Sequence, residues 1–358
     1  MKKISFCGLA FALFVTLSSL VACNSSEKMP EQSKLSIVTT IYPEYAWTKE
    51  ILGSHADSVN LTLLMKNGVD LHSYKPTAQD IAKIASADMV VYVGGESDEW
   101  IKDALEASPK KGRSEINLME ALGDRVKAEE VVEGMQGETK EDAEENHEHG
   151  EHAEEHEHHE HHDEHAEEHH HHHDHEEEVE NDEHVWLSLK NAEILVQKIA
   201  AELAKKDSAH ATLYTENAKD YIAKIQSLDA EYRTTIDSAA RKTVLFGDRF
   251  PFRYLVDDYG LKYYAAFVGC SAESEASFET IAFLAGKMDS LSLPAIFTIE
   301  KGNQKIARAI LEASKSSKEA QVLTLNSMQS VTEQQIAEGF SYLSIMESNL
   351  EVLKQALK

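Results

Sequence analysis

Short apolar runs and helical repeats alternate along most of this chain. "LSIVTTIYP" (residues 35–43) is a β-branched run, and "EYAWTKEILG" after it carries apolar residues at helical spacing and stops at Gly53. "VNLTLLM" reads as a strand, and "TAQDIAKIASA" as a helix with a Thr cap. "DMVVYVGG" is apolar on both faces, as in the middle of a parallel sheet. "WIKDALEA" is again helical, and "SEINLMEAL" turns back towards the sheet. Further on, "NAEILVQKIAAELAKKD" and the stretch 208–239 are strongly helical, the second unusually long and without Gly or Pro. The alternation resumes with "TVLFGD", "FRYLVDDYGL", "KYYAAFVG", "FETIAFLAGKMDSL", "PAIFTIE", "NQKIARAILEASK" and "AQVLTLN", and ends in a terminal helix from Thr332. The pattern predicts an α/β protein of two doubly wound, Rossmann-like lobes. Each lobe is a mainly parallel sheet with flanking helices: residues 35–207 form the first, 208–239 a long joining helix, and 240–358 the second. Ligands of such folds sit at the carboxyl ends of strands, so the cleft between the lobes is the expected site.

The N-terminal end of the chain differs from the rest. Lys2 and Lys3 followed by an apolar run to Val21 predict a secretory signal over residues 1–22. "LVAC" at Leu20–Cys23 resembles a bacterial lipobox, which implies lipidation of Cys23 and a tether over residues 23–34. Cys7 would leave with the leader, so Cys270 stands alone and no disulfide framework is expected.

The pattern of the first lobe is interrupted by a segment of another kind. From Glu141 to Glu183 the chain has 21 Asp or Glu, 15 His and no Lys or Arg, and this segment supplies most of the formal charge of −28. The remainder holds 42 acids against 35 bases, as in an ordinary soluble protein, and nothing in the charge suggests nucleic acid as a partner. Residues 137–183 are too polar to bury a core and are predicted to form a disordered loop. Its histidines (His147, His149, His152, His156, His158, His159, His161, His162, His165, His169, His170, His171, His172, His173 and His175) should capture zinc or copper weakly and at several places.

Outside this segment only His55, His72, His184 and His210 remain. His72 in "NGVDLHSYKPTAQD" and His184 in "NDEHVWLSLKN" each follow acidic residues at the end of an element, where side chains can converge. Spacing alone leaves them as metal ligands or as structural histidines. His210 is expected to face solvent and His55 to sit in a turn.

The segments "IVTTIYPEYAWTKEILG", "GVDLHSYKPTAQDIAKIASADMVVYVGG" and "EHVWLSLKNA" resemble the solute-binding lipoproteins of metal ABC transporters, the ZnuA-like and manganese-binding group. The resemblance runs from about Leu35 to the C-terminus. It implies a monomer of two lobes clamping one metal ion, with His72 and His184 as ligands. That family usually draws a third His or Glu from the first strand of the second lobe. Here that strand reads "TVLFGDRFPF", with Gly247 or Arg249 at the vacant position and no histidine after His210. The donors left are Cys270 and carboxylates. Asp248 is a ligand or an ion-pair partner of Arg249, and Glu300 a ligand or a helix cap; Glu275 matches a family acid of less certain role. The donor set suits Zn²⁺, with Mn²⁺ as the alternative, and the imidazole-rich segment favours zinc.

The function this implies is a lipid-anchored, extracytoplasmic receptor that hands zinc to a membrane permease driven by an ATPase. Neutral imidazoles would make affinity fall as pH drops through about 6.5. A metal-storage or adhesin lipoprotein is the rival, whereas the lack of HExxH and GxSxG motifs argues against an enzyme.

Overall fold

The computed structural model describes residues 34–136, 180–271 and 274–358. The predicted leader, Cys23 and all fifteen histidines of the acidic segment lie outside the described residues. Leu35–Lys358 is one compact unit built on two sheets.

The first lobe runs β1 (Ser36–Thr39), α1 (Tyr42–Leu52), β2 (Asn60–Leu63), α2 (Ala78–Ser86), β3 (Met89–Tyr92), α3 (Trp100–Ala107), β4 (Ser114–Asn117) and α4 (Leu118–Leu122). Its strands are all parallel in the order β2-β1-β3-β4. Helix α5 (Leu189–Lys206) returns across this lobe, and α6 (Ala211–Ser238) is the long joining helix, 28 residues. The second lobe follows as β5 (Thr243–Phe250), α7 (Arg253–Tyr259), β6 (Lys262–Val268), α8 (Phe278–Ser290), β7 (Ala295–Ile299), α9 (Lys305–Ala313) and β8 (Gln321–Leu325). Its order, β6-β5-β7-β8, is also all parallel and repeats that of the first lobe. The predicted architecture is therefore the observed one.

Local chemistry accounts for the boundaries. Thr77 starts α2 by accepting from the Asp80 amide while Asp80 reaches back to the Thr77 amide. Strand β3 is buried along its whole length, which its unbroken apolar run requires in a sheet covered on both faces. The expected terminal helix is in fact two, α10 (Glu333–Ala337) and α11 (Tyr342–Ala356). Gly339 between them has φ of +96°, which a helix cannot continue through, and Ser341 caps the new start.

The lobes share more than a helix. One hydrophobic cluster runs from Ile37 and Trp47 of the first lobe through Tyr232 of α6 to Phe246 and Tyr342 of the second. Buried polar bonds cross it: Trp186 Nε1 donates to the Ser327 carbonyl at 2.8 Å, and the Tyr342 hydroxyl to the Trp186 carbonyl at 2.8 Å. An interface this apolar resists relative motion of the lobes.

Candidate metal centre

His72 lies after β2, in a single turn started by Asp70, whose Oδ1 accepts from the His72 amide at 3.0 Å. His184 precedes α5 and is fully buried. The two rings meet with Nε2 to Nε2 at 3.1 Å although 112 residues separate them. Their other nitrogens are held. His184 Nδ1 lies 2.8 Å from Asp182 Oδ1, which also accepts the His184 amide, so Nδ1 carries the proton and Nε2 presents its lone pair. His72 Nδ1 lies 2.7 Å from Ser97 Oγ and 3.6 Å from Glu183 Oε2. Burial, then His184 and Arg249, hold the His72 imidazole well below its ordinary pKa, so it is neutral near pH 7.

The third donor comes from the second lobe. Cys270, in the turn after β6, places its sulfur with the two imidazoles so that all three donor atoms lie within 4.8 Å of one another. Gly269 makes the approach fit: a Cβ there would sit 3.0 Å from His184 Cε1 and 2.9 Å from the Phe250 carbonyl. Burial, reinforced by the carboxylates of Glu129, Glu183 and Asp182, pushes the Cys270 thiol far above its ordinary pKa. Glu129 accepts the Cys270 amide at 3.1 Å. Two imidazoles and a sulfur that loses its proton on binding form a donor set for a borderline-soft ion such as Zn²⁺.

The carboxylates named from the sequence are employed elsewhere. Glu300, at the end of β7, accepts from the Ser327 amide (2.7 Å), the Ser327 hydroxyl (2.9 Å) and the Gln329 amide (3.2 Å). It fastens the turn after β8, and the start of α9 has no side-chain cap. Asp248 accepts from the Arg249 and Ile299 amides at 2.9 and 3.2 Å. The Arg249 guanidinium reaches across the cleft to Asp70 instead. Among the described residues, the donor cluster here is His72, His184 and Cys270, and the structure brings neither Glu300 nor Asp248 into it. Glu275 shows no part in it either. A cleft of about 410 Å³ opens beside His72, lined by Asp70 and Ser73 from one lobe and Asp248, Arg249, Lys301 and Asn303 from the other.

Sequence reasoning offers Cys270 only as one of the second lobe's remaining donors, with no positive sign of its own. A single cysteine has no ligand spacing to read, and the available signal was the Gly-Cys pair directly after an apolar strand.

Residues 37–356 match the family model described as zinc-uptake complex component A, periplasmic. The chain is 32% identical over 351 residues to the high-affinity zinc uptake system protein ZnuA of Bacillus subtilis, covering 97% of this chain and 96% of that protein. It is 34% identical over 357 residues to the zinc-binding lipoprotein AdcA of Streptococcus pneumoniae, 99% of this chain but 61% of the relative's length. The crystal structure of the Zn(II)-bound ZnuA-like domain of Streptococcus pneumoniae AdcA superimposes with a TM-score of 0.63 at 29% identity, over 90% of this chain and 99% of that one. The chain thus belongs to the ZnuA family of zinc-uptake binding components.

Proposed function

We propose that this protein is the extracytoplasmic receptor of a zinc ABC importer, anchored through lipidated Cys23, and that His72, His184 and Cys270 are its zinc ligands. The observation that carries the reading is the meeting of two Nε2 atoms at 3.1 Å with a second-lobe sulfur, at the carboxyl ends of parallel strands. Three protein donors leave a fourth position for water, so the ion is held firmly yet can be handed on. A thiolate beside two imidazoles disfavours manganese, whose sites prefer oxygen. The permease and its ATPase are the partners this function requires. The histidine-rich segment would collect ions close by: its described flanks are Gln136, bonded to Ala266 of β6 at 2.9 Å, and Glu180, four residues before His184.

Deleting the gene tests the reading. Growth under chelator-imposed zinc limitation should fail and return with added zinc but not with manganese. Undiminished growth and zinc uptake in the deletion strain would refute it. An adhesin or storage role predicts that normal uptake.

A further inference from the structure

A second set of donors lies far from the cleft. His55, in the turn after α1, stacks on His210 with ring centroids 3.7 Å apart and planes 25° apart. Asp207, at the junction of α5 and α6, faces both: its Oδ2 is 3.4 Å from His55 Nε2 and 2.7 Å from His210 Nδ1. One donor atom from each of the three lies within 4.8 Å of the others. From these contacts we infer that His55, Asp207 and His210 form a second, exchangeable site for a divalent transition ion, for which Zn²⁺ is the test ion.

The spacing of the donor atoms is close to what the ion needs, and the two stacked rings have to tilt apart to aim both in-plane lone pairs at it. A tetrahedral site with bonds of about 2.0–2.1 Å has donors roughly 3.3 Å apart. The His55–Asp207 spacing already matches that edge. The His210–Asp207 contact has to open by about half an ångström to reach it. The donors are held by rigid parts. Tyr214 donates to Asp207 Oδ2 at 2.7 Å and fixes the carboxylate, as an outer hydrogen bond does in metal sites. Asn217 of α6 donates to the Ile51 carbonyl at 2.9 Å and ties the end of α1 to the helix that His210 precedes. Partial burial works against ionising Asp207, but the bonds from Tyr214 and His210 prevail and hold its pKa below the ordinary value. The side chain of His210 is 41% exposed, so the remaining coordination positions face water.

The two sites are independent by construction. His184 stands just before α5 and Asp207 just after it, so 18 helical residues, about 27 Å, lie between them. His72 likewise follows β2 whereas His55 precedes it, at the opposite end of the strand.

Histidine-selective carbethoxylation of the full chain, read peptide by peptide by mass spectrometry in zinc-buffered solution, tests the inference. With free zinc at about four times the dissociation constant, reactivity of His55 and His210 should fall together to about one fifth. Asp207→Asn keeps a helix-end residue and a hydrogen-bond acceptor but removes the charge, and should abolish that protection. An unchanged circular dichroism spectrum and unfolding midpoint show that the variant is folded. Tyr214→Phe should retain the effect in weakened form. Equal reactivity with and without zinc, or unchanged protection in Asp207→Asn, overturns the inference and leaves a stacked, hydrogen-bonded pair of histidines.

Discussion

The protein carries two groups of donors that look alike in composition and differ in everything around them. In the cleft pair His184 is fully buried and the His72 side chain is 8% exposed, and each ring's second nitrogen has a polar partner. The surface pair is more open, with side chains 19% exposed at His55 and 41% at His210, and shares one carboxylate oxygen. Only the cleft pair faces a sulfur brought from another lobe. The lesson is that affinity is set by what orients and desolvates the donors. On the proposed reading, a pair of imidazoles serves a tight site in one setting and another pair an exchangeable one in the other.

The strongest way to break the comparison is to remove a cleft imidazole. His184→Ala or His72→Ala should weaken zinc binding by more than the ~10–100-fold that loss of an outer hydrogen bond costs. Competition with a chromophoric chelator, at free zinc too low to fill weak sites, measures this. Unchanged affinity would reassign the site.

Next comes the thiol. Cys270→Ser should cost less than either histidine, and should remove the thiolate-to-metal charge-transfer band of the cobalt-substituted protein. It also decides the pH dependence. The depressed pKa of His72 keeps that imidazole neutral at and below pH 6.5, so it competes little with zinc there. The thiol's pKa is raised, so zinc must displace its proton throughout the neutral range. Affinity should therefore rise about tenfold per pH unit through neutrality and above, rather than only around 6.5. In Cys270→Ser the slope should flatten; an equally steep slope there would exclude the thiolate.

Asp182→Asn leaves every ligand in place and removes the carboxylate behind His184, so affinity should drop by ~10–100-fold, read by the same competition. A loss as large as that of His184→Ala would mean that Asp182 does more than orient the ring.

The smallest effect on zinc is predicted at Glu300. Glu300→Ala strands the Ser327 and Gln329 amides, at a cost of about 1–3 kcal/mol for each group left unsatisfied, visible in denaturant unfolding. Zinc affinity measured on the folded fraction should stay within a few-fold. A collapse of affinity would restore Glu300 as a ligand.

Much of this was legible in the residues. Alternating apolar runs announced the parallel strands because buried parallel sheets need continuous apolar segments, as in "DMVVYVGG". His72 and His184 could be singled out because each follows an acidic residue at the end of an element. The second lobe was harder. Asp248 and Glu300 also stand near strand ends, but their oxygens are taken by backbone amides, of β5 and β7 for Asp248 and of the turn after β8 for Glu300, and sequence position does not show where a carboxylate's hydrogen bonds go. The surface group escaped notice because His55 and His210 lie 155 residues apart, and each alone reads as an ordinary surface residue. The clue was Asp207, three residues before His210.

Asp70 holds one further consequence. One of its oxygens takes the amide of His72 and the other takes the guanidinium of Arg249 from the opposite lobe. Drawing β5 away from the first lobe would pull on this crossbar, and through it on the turn that aims the imidazole. Because the shared core resists wide opening, a small displacement of Arg249 would be felt at that turn: on the proposed reading, unloading the ion would be a matter of tension in one strut rather than the swing of a hinge.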